Sequence, residues 1–501
     1  MKLRRIVEAL QRQPGLQVSV EGATDIDIGG VSFHSNRVAD GDLFGCLPGY
    51  RFDGHDYAAT AVHRGARALL VQRRLDVPDG IAQVIVDDPR LALAIASEEF
   101  FQHPTRDLLL VGVTGTSGKT TTAHLIRHIL EYSGVQTGII GTLGTVIGGV
   151  EQPGSLTTPE APDLSRAFAA MRAAGDRAAV MEVSSHSLVL HRTAACEFDV
   201  AIFTNLAAEH LDFHEDLEDY ARAKAMLFAQ LSPADGSGEL PIGLVNADDP
   251  AAHYMVEACA APTLGFGLES GDIRASEVNL SIEGSRFSIR YPGDDRRDIS
   301  LQLPARYNVY NATAAAAAAD CLGISRSTVA RALREAQPVP GRFEVVRGGD
   351  SDPMVVVDFA HTPDELENLL GAVRAVATGR VFVVFGCGGD RDRSKRPVMG
   401  ALATSLADYT VISSDNPRSE DPGAIAREVA AGAANDAVFD VIVDRGEAID
   451  AAISRAGPGD VVVVAGKGHE TYQIFADETL EFDDRKRARE ALDRRGPGDS
   501  R

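Results

Sequence analysis

The sequence predicts an α/β protein of three domains: a small N-terminal α/β domain, a central P-loop ATPase domain built on a parallel sheet, and a C-terminal Rossmann-like α/β domain. Three observations carry that expectation. At 501 residues the chain exceeds what one hydrophobic core organises. From residue 108 onward, apolar strand candidates alternate with helical stretches, the pattern of mostly parallel sheets covered on both faces. The stretch 108–122, LLLVGVTGTSGKTTT, reads as buried strand, glycine-bounded loop and helix start in direct succession.

Residues 1–105 make the first expected domain. Strand candidates lie at 16–20 (LQVSV), 68–71 (ALLV) and 83–86 (QVIV), with helical AATAVHRG before the second and turn signals at Asp40-Gly41 and Asp53-Gly54 around the apolar piece LFGCL. The helical LALAIASEEFFQHP runs into His103-Pro104-Thr105, a linker. In the second domain, 106–337, strands are expected at 178–183, 199–206 and 241–247, separated by helices such as DLSRAFAAMRAAG. Alternation over 278–291 suggests an antiparallel excursion, and the alanine run 314–319 a packed helix with no chemistry. Val339-Pro340-Gly341 punctuates the chain before the third domain, 338–501. There MVVVDFAHTPDEL, RVFVVFGCGGDRDRSKRP, YTVISSDNPRSEDP, VFDVIVD and DVVVVAGKGHE are apolar strands, most of which end in polar loops, where ligands of parallel sheets bind.

Composition excludes several classes. A 44% apolar and 24% charged content is that of an ordinary globular protein, which sets aside disordered and membrane-embedded chains. The formal net charge of −23 argues against a nucleic-acid surface, so an anionic ligand must be drawn in by local basic clusters. Five cysteines (Cys46, Cys196, Cys259, Cys321, Cys387) lack paired spacing; neither a disulfide framework nor a zinc site is expected, and each reads as a small buried residue. The N-terminus has no apolar core of signal-peptide length and no apolar run approaches a membrane span. A cytoplasmic enzyme without membrane or nucleic-acid partners is the expectation.

The phosphate loop aims backbone N–H groups and a helix N-terminus at one spot, where aligned peptide dipoles favour an anion. Lys119 adds a full positive charge, and Thr120 a hydroxyl suited to Mg2+. The commonest form of the motif has glycine where this chain has Val113; glycines stand instead at Gly112 and Gly115. A plain glycine turn with a solvated lysine is the alternative, and nucleoside triphosphate binding the favoured reading. Glu182 ends a buried strand, where a carboxylate is costly unless paired, used as a cap or bound to metal. Asn205 and His210 follow another strand; a lone histidine is more often structural, but Thr120, Glu182 and His210 all follow strands of one sheet. Lys224, on a helix with Leu227 and Phe228, reads by itself as a surface lysine.

In the third domain Arg391, Arg393, Lys395 and Arg396 crowd together after the glycine-rich 386–389, Arg418 follows Asp415-Asn416-Pro417, and Lys467, His469 and Glu470 follow Gly466. Solvated loop charge explains any one of these. Three such loops at strand ends of an acidic protein point to capture of a small ligand bearing carboxylates or phosphates by arginine forks.

Together, GVTGTSGKTTT (112–122), TTP (157–159), EVSSHSL (182–188), TNLAAEHLDFH (204–214), YARAK (220–224), YNVYNA (307–312), PGRFE (340–344), VDFAHTPDEL (357–366), FGCGGDRDRSKRPVMG (385–400), SDNPRSEDP (414–422) and AGKGHETYQ (465–473) resemble the Mur ligase family. These are ATP-dependent amide-bond-forming enzymes of peptidoglycan synthesis, and the resemblance spans nearly the whole chain in family order. DNPR at 415–418 is similar to the form found in members that add meso-diaminopimelate to UDP-N-acetylmuramoyl-L-alanyl-D-glutamate; lysine-adding members differ at the arginine. Diaminopimelate has a distal carboxylate that lysine lacks, and an arginine can hold it through paired charge-assisted hydrogen bonds.

The resemblance implies a UDP-binding first domain, an ATP-binding central domain and an amino-acid-binding third domain. It implies phosphates on Gly115, Thr116, Ser117, Gly118, Lys119, Thr120 and Thr121, nucleotide contacts at Asn205, Asn308, Asn311, Arg342 and Asp358, and magnesium on Thr120, Glu182 and His210. Lys119, Glu182, His210 and Lys224 are then the catalytic set, with Lys224 carbamylated and so a further magnesium ligand. The UDP-muramoyl dipeptide would be held by Ser35, Tyr50, Arg51, Phe52, Thr157, Thr158, Ser184 and Arg192, and diaminopimelate by Arg391, Asp415, Asn416, Pro417, Arg418, Gly466 and Glu470. The implied chemistry is phosphoryl transfer to the D-glutamate carboxylate followed by attack of the diaminopimelate amine, in a monomer. Three positions depart from the family pattern: His34-Ser35-Asn36 for Asp-Ser-Arg, Leu190 for a glutamine, and Ala305 for a glycine. The alternatives are a lysine-adding Mur ligase, a folate polyglutamate synthetase-like ligase and a non-catalytic nucleotide-binding scaffold. Arg418 speaks against the first, the first domain and DNPR against the second, and retention of Lys119, Glu182, His210 and Lys224 against the third.

Overall fold

The computed structural model describes residues 1–49, 52–154, 156–210, 213–231, 240–349 and 352–495; Tyr50 and Arg51, expected at the uridine site, lie outside the described residues. Three large sheets follow one another along the chain. The first runs in the order Val18–Glu21, Ala82–Val86, Ala68–Val71, Leu43–Gly45, Val31–Ser32, parallel except for its antiparallel first strand. Its core joins the helices Leu3–Arg12 and Pro89–Phe100 to the sheet. Asp88 starts the second helix by accepting the N–H groups of Arg90 and Leu91, with Pro89 at the first helical position, where a missing N–H costs nothing.

The central sheet has eleven strands. Its parallel heart is ordered Thr263–Gly267, Ile242–Asn246, Val200–Phe203, Leu109–Thr114, Ala178–Glu182, Thr137–Gly141. These strands are mostly apolar and largely buried on both faces, as a helix-covered parallel sheet requires, with polar residues such as Thr114, Glu182 and Asn246 at their carboxyl ends. The expected excursion is present: Ile273–Ser281, Gly284–Arg290 and Arg296–Leu301 pair antiparallel. The strand expected over 199–206 ends at Phe203, because Thr204 and Asn205 turn their side chains onto the phosphate loop. The alanine run lies in the helix Arg306–Cys321, fully buried against the phosphate-loop helix Lys119–Tyr132 and the sheet; side chains this small let the helices approach closely.

The third sheet runs Glu344–Val346, Met354–Asp358, Val461–Ala465, Val381–Phe385, Tyr409–Ile412, Phe439–Val441, parallel apart from its first strand. The carboxyl ends of its strands carry the polar loops and face the phosphate loop, as the contact of Arg342 with Thr120 records.

Candidate active site

Leu109–Thr114 sits between Ala178–Glu182 and Val200–Phe203, so the residues following these three strands converge at the switch point of the sheet. The phosphate loop leaves the middle strand under close constraint. Gly115 has φ +146, and a Cβ there would stand 1.9 Å from Thr204 Oγ1; Gly118 has φ +86, and its Cβ would stand 2.5 Å from Asn311 Oδ1. These two positions need glycine, whereas Val113 is a buried strand residue, which explains the altered spacing of the motif. Asn205 braces the loop: its Oδ1 accepts the Ser117 N–H at 2.9 Å and its Nδ2 donates to the Ser117 carbonyl at 3.0 Å. Lys119 Nζ folds back onto the carbonyls of Gly115 and Thr116, at 2.9 and 2.7 Å.

Glu182 is buried, and three donors hold its carboxylate: Thr120 Oγ1 at 2.9 Å, Thr142 N at 2.8 Å and Thr142 Oγ1 at 3.1 Å. His210, with φ 57, packs at 4.8 Å between ring centroids from His186 and at 6.1 Å from Tyr220. Thr120, Glu182, His210 and Lys119 line one cavity of about 260 Å3, together with Thr142, Thr157, Glu209, Arg342, Phe359, His361 and Glu365. No group of three or more His, Cys, Asp or Glu among the described residues forms a ready-made metal cage. The donor set nonetheless fits magnesium, which takes one or two carboxylates and completes its shell with water and phosphate oxygens.

Lys224 corrects the sequence reading. It is 1% exposed, not a surface lysine; its Nζ stands 4.0 Å above the Tyr220 ring. Burial, and then the charge of Lys119, push its pKa well below the ordinary lysine value. Tyr220 stands one helical turn before Lys224, so the spacing brings its ring to the amine; what the spacing does not give is that this face of the helix is buried.

Two further cavities adjoin the first. One of about 320 Å3 is lined by Ser117, Gly118, Thr121, Asn205, Asn308, Asn311, Arg342 and Asp358, with Phe266, Tyr307 and Leu369 supplying apolar wall, a mixture suited to a nucleoside. Asn311 Nδ2 donates to Asn308 Oδ1 at 3.2 Å, and Asp358 accepts the N–H groups of Phe343 and Ala360 at 2.6 and 2.8 Å. Arg342, over the Phe359 ring at 4.8 Å, lies 3.4 Å from Thr120 Oγ1 and borders both this cavity and the phosphate loop. The other cavity, about 790 Å3, gathers Arg391, Asp415, Asn416, Arg418, Gly466 and Glu470, and shares Glu209, His210, Phe359 and His361 with the phosphate-loop cavity. Arg418 has φ 52 and its Nη1 donates to the Gly389 carbonyl at 2.8 Å. Pro417 stands in the same loop but does not line the cavity.

Not every base of these loops serves the cavity. Arg396 is 0% exposed and bound to Glu420 and Glu428, Arg393 is paired with Glu428, and Lys467 is locked at 2.9 Å to Glu470 and 3.1 Å to Asn416. Arg391 and Lys395 of the same run do line it. Buried Arg445 binds Asp484 through two 2.7 Å hydrogen bonds and donates to the carbonyls of Ser414 and Ala465, tying together the loops that carry Asp415 and Gly466.

Thr157, Thr158, Ser184 and Arg192 cluster beside Glu182. Thr158 Oγ1 donates to the Glu182 carbonyl at 2.9 Å and accepts the Ser184 N–H; Arg192 donates to the Thr158 carbonyl and pairs with Glu160 at 2.9 Å. Glu160 also meets Arg90 of the first sheet's helix, at 3.4 Å. Ser35, in the short turn Ser35–Arg37, and Phe52, 68% exposed, line none of the three cavities. Sequence reasoning missed Thr142, Glu209, His361 and Glu365. Only the last two carried a signal, the helix-capping pattern HTPDE that fixes them.

Profile matches cover most of the chain: the Mur ligase family, catalytic domain, at residues 27–109, the Mur ligase middle domain at 113–319, and the Mur ligase, glutamate ligase domain at 341–468. The UDP-N-acetylmuramoyl-L-alanyl-D-glutamate--2,6-diaminopimelate ligase of Geobacillus thermodenitrificans is 45% identical over 497 residues, covering 99% of this chain and 100% of the relative. A solved structure of a ligase of that name aligns with a TM-score of 0.69 at 29% identity, covering 99% of both chains. The MurF ligase of Thermotoga maritima in complex with ADP, 21% identical over 93% of this chain and 98% of its own, shares the fold with a TM-score of 0.65. By its matched domains and its full-length relatives, the chain belongs to the Mur ligase family.

Proposed function

We propose that this enzyme ligates meso-diaminopimelate to the D-glutamate carboxylate of UDP-N-acetylmuramoyl-L-alanyl-D-glutamate with hydrolysis of ATP, in peptidoglycan biosynthesis. One observation supports the reading: the nucleoside-type cavity, the phosphate-loop cavity and the arginine-lined cavity lie in a row, the phosphate-loop cavity sharing Arg342 and Glu365 with the first and Glu209, His210, Phe359 and His361 with the last. That order matches a reaction in which a phosphoryl group moves to a carboxylate and an amine then displaces it.

In this reading ATP is held by Gly115 to Thr121, Asn205, Asn308, Asn311, Arg342 and Asp358, with Lys119 swinging from the loop carbonyls to the transferring phosphoryl. Magnesium, held by Thr120, Glu182, His210 and the carbamate of Lys224, would neutralise charge on the phosphoryl oxygens. The low pKa of Lys224 supports the modification, because only a neutral amine adds CO2, giving a carbamate and one proton. Thr157, Thr158, Ser184 and Arg192 present the dipeptide end of the UDP substrate beside Glu182, and Ser35 and Phe52 serve its uridine end. The γ-phosphoryl passes to the D-glutamate carboxylate, ADP leaves, and the acyl carbon is opened to attack. Arg391, Asp415, Asn416, Arg418, Gly466 and Glu470 hold the incoming amino acid, Arg418 taking the distal carboxylate that lysine lacks. The domains divide as 1–105, 106–337 and 338–501, and the enzyme works as a cytoplasmic monomer. No helix among the described residues is long and apolar enough to cross a membrane.

The test is product identity. Incubation with ATP, Mg2+, the UDP-dipeptide and meso-diaminopimelate should give a UDP-tripeptide heavier by one diaminopimelate residue, with one ADP and one phosphate per product. ADP formed without that tripeptide would overturn the assignment.

A further inference from the structure

We infer that His361 is the general base of amide formation, accepting at Nε2 a proton from the attacking amine, with Glu365 as its positioning carboxylate. The inference rests on the ligase reading above and names a group which that reading leaves unassigned.

A primary amine is an ammonium ion at neutral pH and has no lone pair to attack with. The reaction of acyl phosphate and ammonium to amide, hydrogen phosphate and one proton therefore needs a proton acceptor where the two substrates meet. Four residues line both the phosphate-loop cavity and the amino-acid cavity: Glu209, His210, Phe359 and His361. Phe359 cannot take a proton; His210 belongs to the metal set, and Glu209, its neighbour in sequence, directs its carboxylate at that ring, 3.9 Å from the His210 Nε2. His361 is left.

Local sequence fixes its tautomer. Thr362 caps the helix Pro363–Val376, its Oγ1 accepting the Glu365 N–H at 3.3 Å, and Glu365 turns back to accept the His361 backbone N–H at 3.0 Å. Glu365 Oε2 also lies 3.2 Å from the ring Nδ1, and the Phe359 carbonyl 3.0 Å from it. Both oxygens only accept, so Nδ1 carries the proton and the neutral ring keeps its lone pair on Nε2. The side chain is 39% exposed, open to a ligand. The charged groups facing it are Glu365, Glu209 and Lys395, whose Nζ donates to the His361 carbonyl at 2.8 Å. Burial works against the charged ring, but Glu365 outweighs it, and the pKa is raised above the ordinary histidine value.

The step balances as follows. Nε2 takes one N–H proton; the nitrogen lone pair forms the C–N bond; the C–O bond to phosphate breaks with its electron pair on the leaving phosphate. The second ammonium proton passes to phosphate, giving hydrogen phosphate, and the ring releases its proton to water on turnover.

The test separates the half-reactions in the full-length enzyme with ATP, Mg2+, the UDP-dipeptide and diaminopimelate. Acyl phosphate is trapped with borohydride before the amine is added, and amide formation is followed across pH. In His361→Ala and His361→Gln, trapped acyl phosphate should stay within a few-fold of the native level while amide formation falls by about 10²-fold or more. Added imidazole should restore part of the activity of the alanine variant. Glu365→Gln should move the acid limb of the kcat profile to lower pH. Ligation within a few-fold of native with the limb intact, or acyl phosphate lost in step with ligation, would overturn the inference. A native enzyme that forms neither species would remove the ligase reading, and this inference with it.

Discussion

Thr120 Oγ1 donates to Glu182 Oε2 across 2.9 Å, joining the first turn of the phosphate-loop helix to the end of the neighbouring strand. Each residue has a second tie, Thr120 to Arg342 of the third domain and Glu182 to Thr142. The contact therefore sits where the phosphate loop, the proposed magnesium donors and the third sheet's domain meet. Glu182→Gln keeps an acceptor for the Thr142 N–H and so keeps the fold, but removes the negative charge. Ligation should drop by about 10²-fold or more with an unchanged melting temperature. Activity within threefold of native would remove Glu182 from the catalytic set.

The buried, low-pKa Lys224 leads to a second expectation. Intact-mass spectra taken at neutral pH in bicarbonate should show one added CO2, lost on acidification and absent from Lys224→Arg. Activity should fall when CO2 is stripped and return when it is restored. An unmodified mass at full activity contradicts the carbamate.

Glu98 gives a pH dependence that has nothing to do with catalysis. It is 2% exposed, its Oε1 faces Thr105 Oγ1 at 3.4 Å, and burial pushes its pKa up to about 8. The unfolded chain ionises this group near the ordinary glutamate value of 4.5, so between there and about 8 the native state holds the extra proton. Stability contributed by the protonated form is complete below 4.5 and is lost as pH rises through about 8, at up to about 1.4 kcal/mol per pH unit. Glu98→Gln should flatten that slope in denaturant titrations at pH 5 to 8. An unchanged slope would place the titration elsewhere.

Much of this architecture was legible because it rests on local pattern. The buried strand before the phosphate loop, the alternation that makes the parallel sheets, and the DNPR loop are each written in a few consecutive residues. Lys224 was not legible by itself: Tyr220 lies one turn before it on the same helix, but that this face of the helix is buried is decided by the fold. Lys467 pairs with Glu470 three residues on, but Arg393 and Arg396 read as ligand-binding charges, and their partners Glu428 and Glu420 lie 20 or more residues away in sequence. Charge type was visible; the partner that neutralises it was not.

Ala305 shows what a departure from the family pattern does physically. It is 1% exposed and precedes the helix Arg306–Cys321 with φ 80 and ψ 143, a backbone conformation that suits glycine. Ala305→Gly should relieve strain of roughly 1–3 kcal/mol, less the roughly 0.4–1 kcal/mol that glycine adds to the freedom of the unfolded chain. A rise in the denaturation midpoint is expected, with the slope unchanged. A fall would show that packing of the buried methyl outweighs the strain.

Arg418 tests the central claim most directly. Phosphate release would be measured with ATP, Mg2+ and UDP-N-acetylmuramoyl-L-alanyl-D-glutamate, adding meso-diaminopimelate or L-lysine, for the native enzyme and Arg418→Ala. The account predicts release that depends on diaminopimelate, is weak with lysine, and loses about 10- to 150-fold in kcat/KM in the variant, the worth of one charge-assisted hydrogen bond of roughly 1.5–3 kcal/mol. Equal turnover with lysine, or a variant as active as the native enzyme on diaminopimelate, would contradict it.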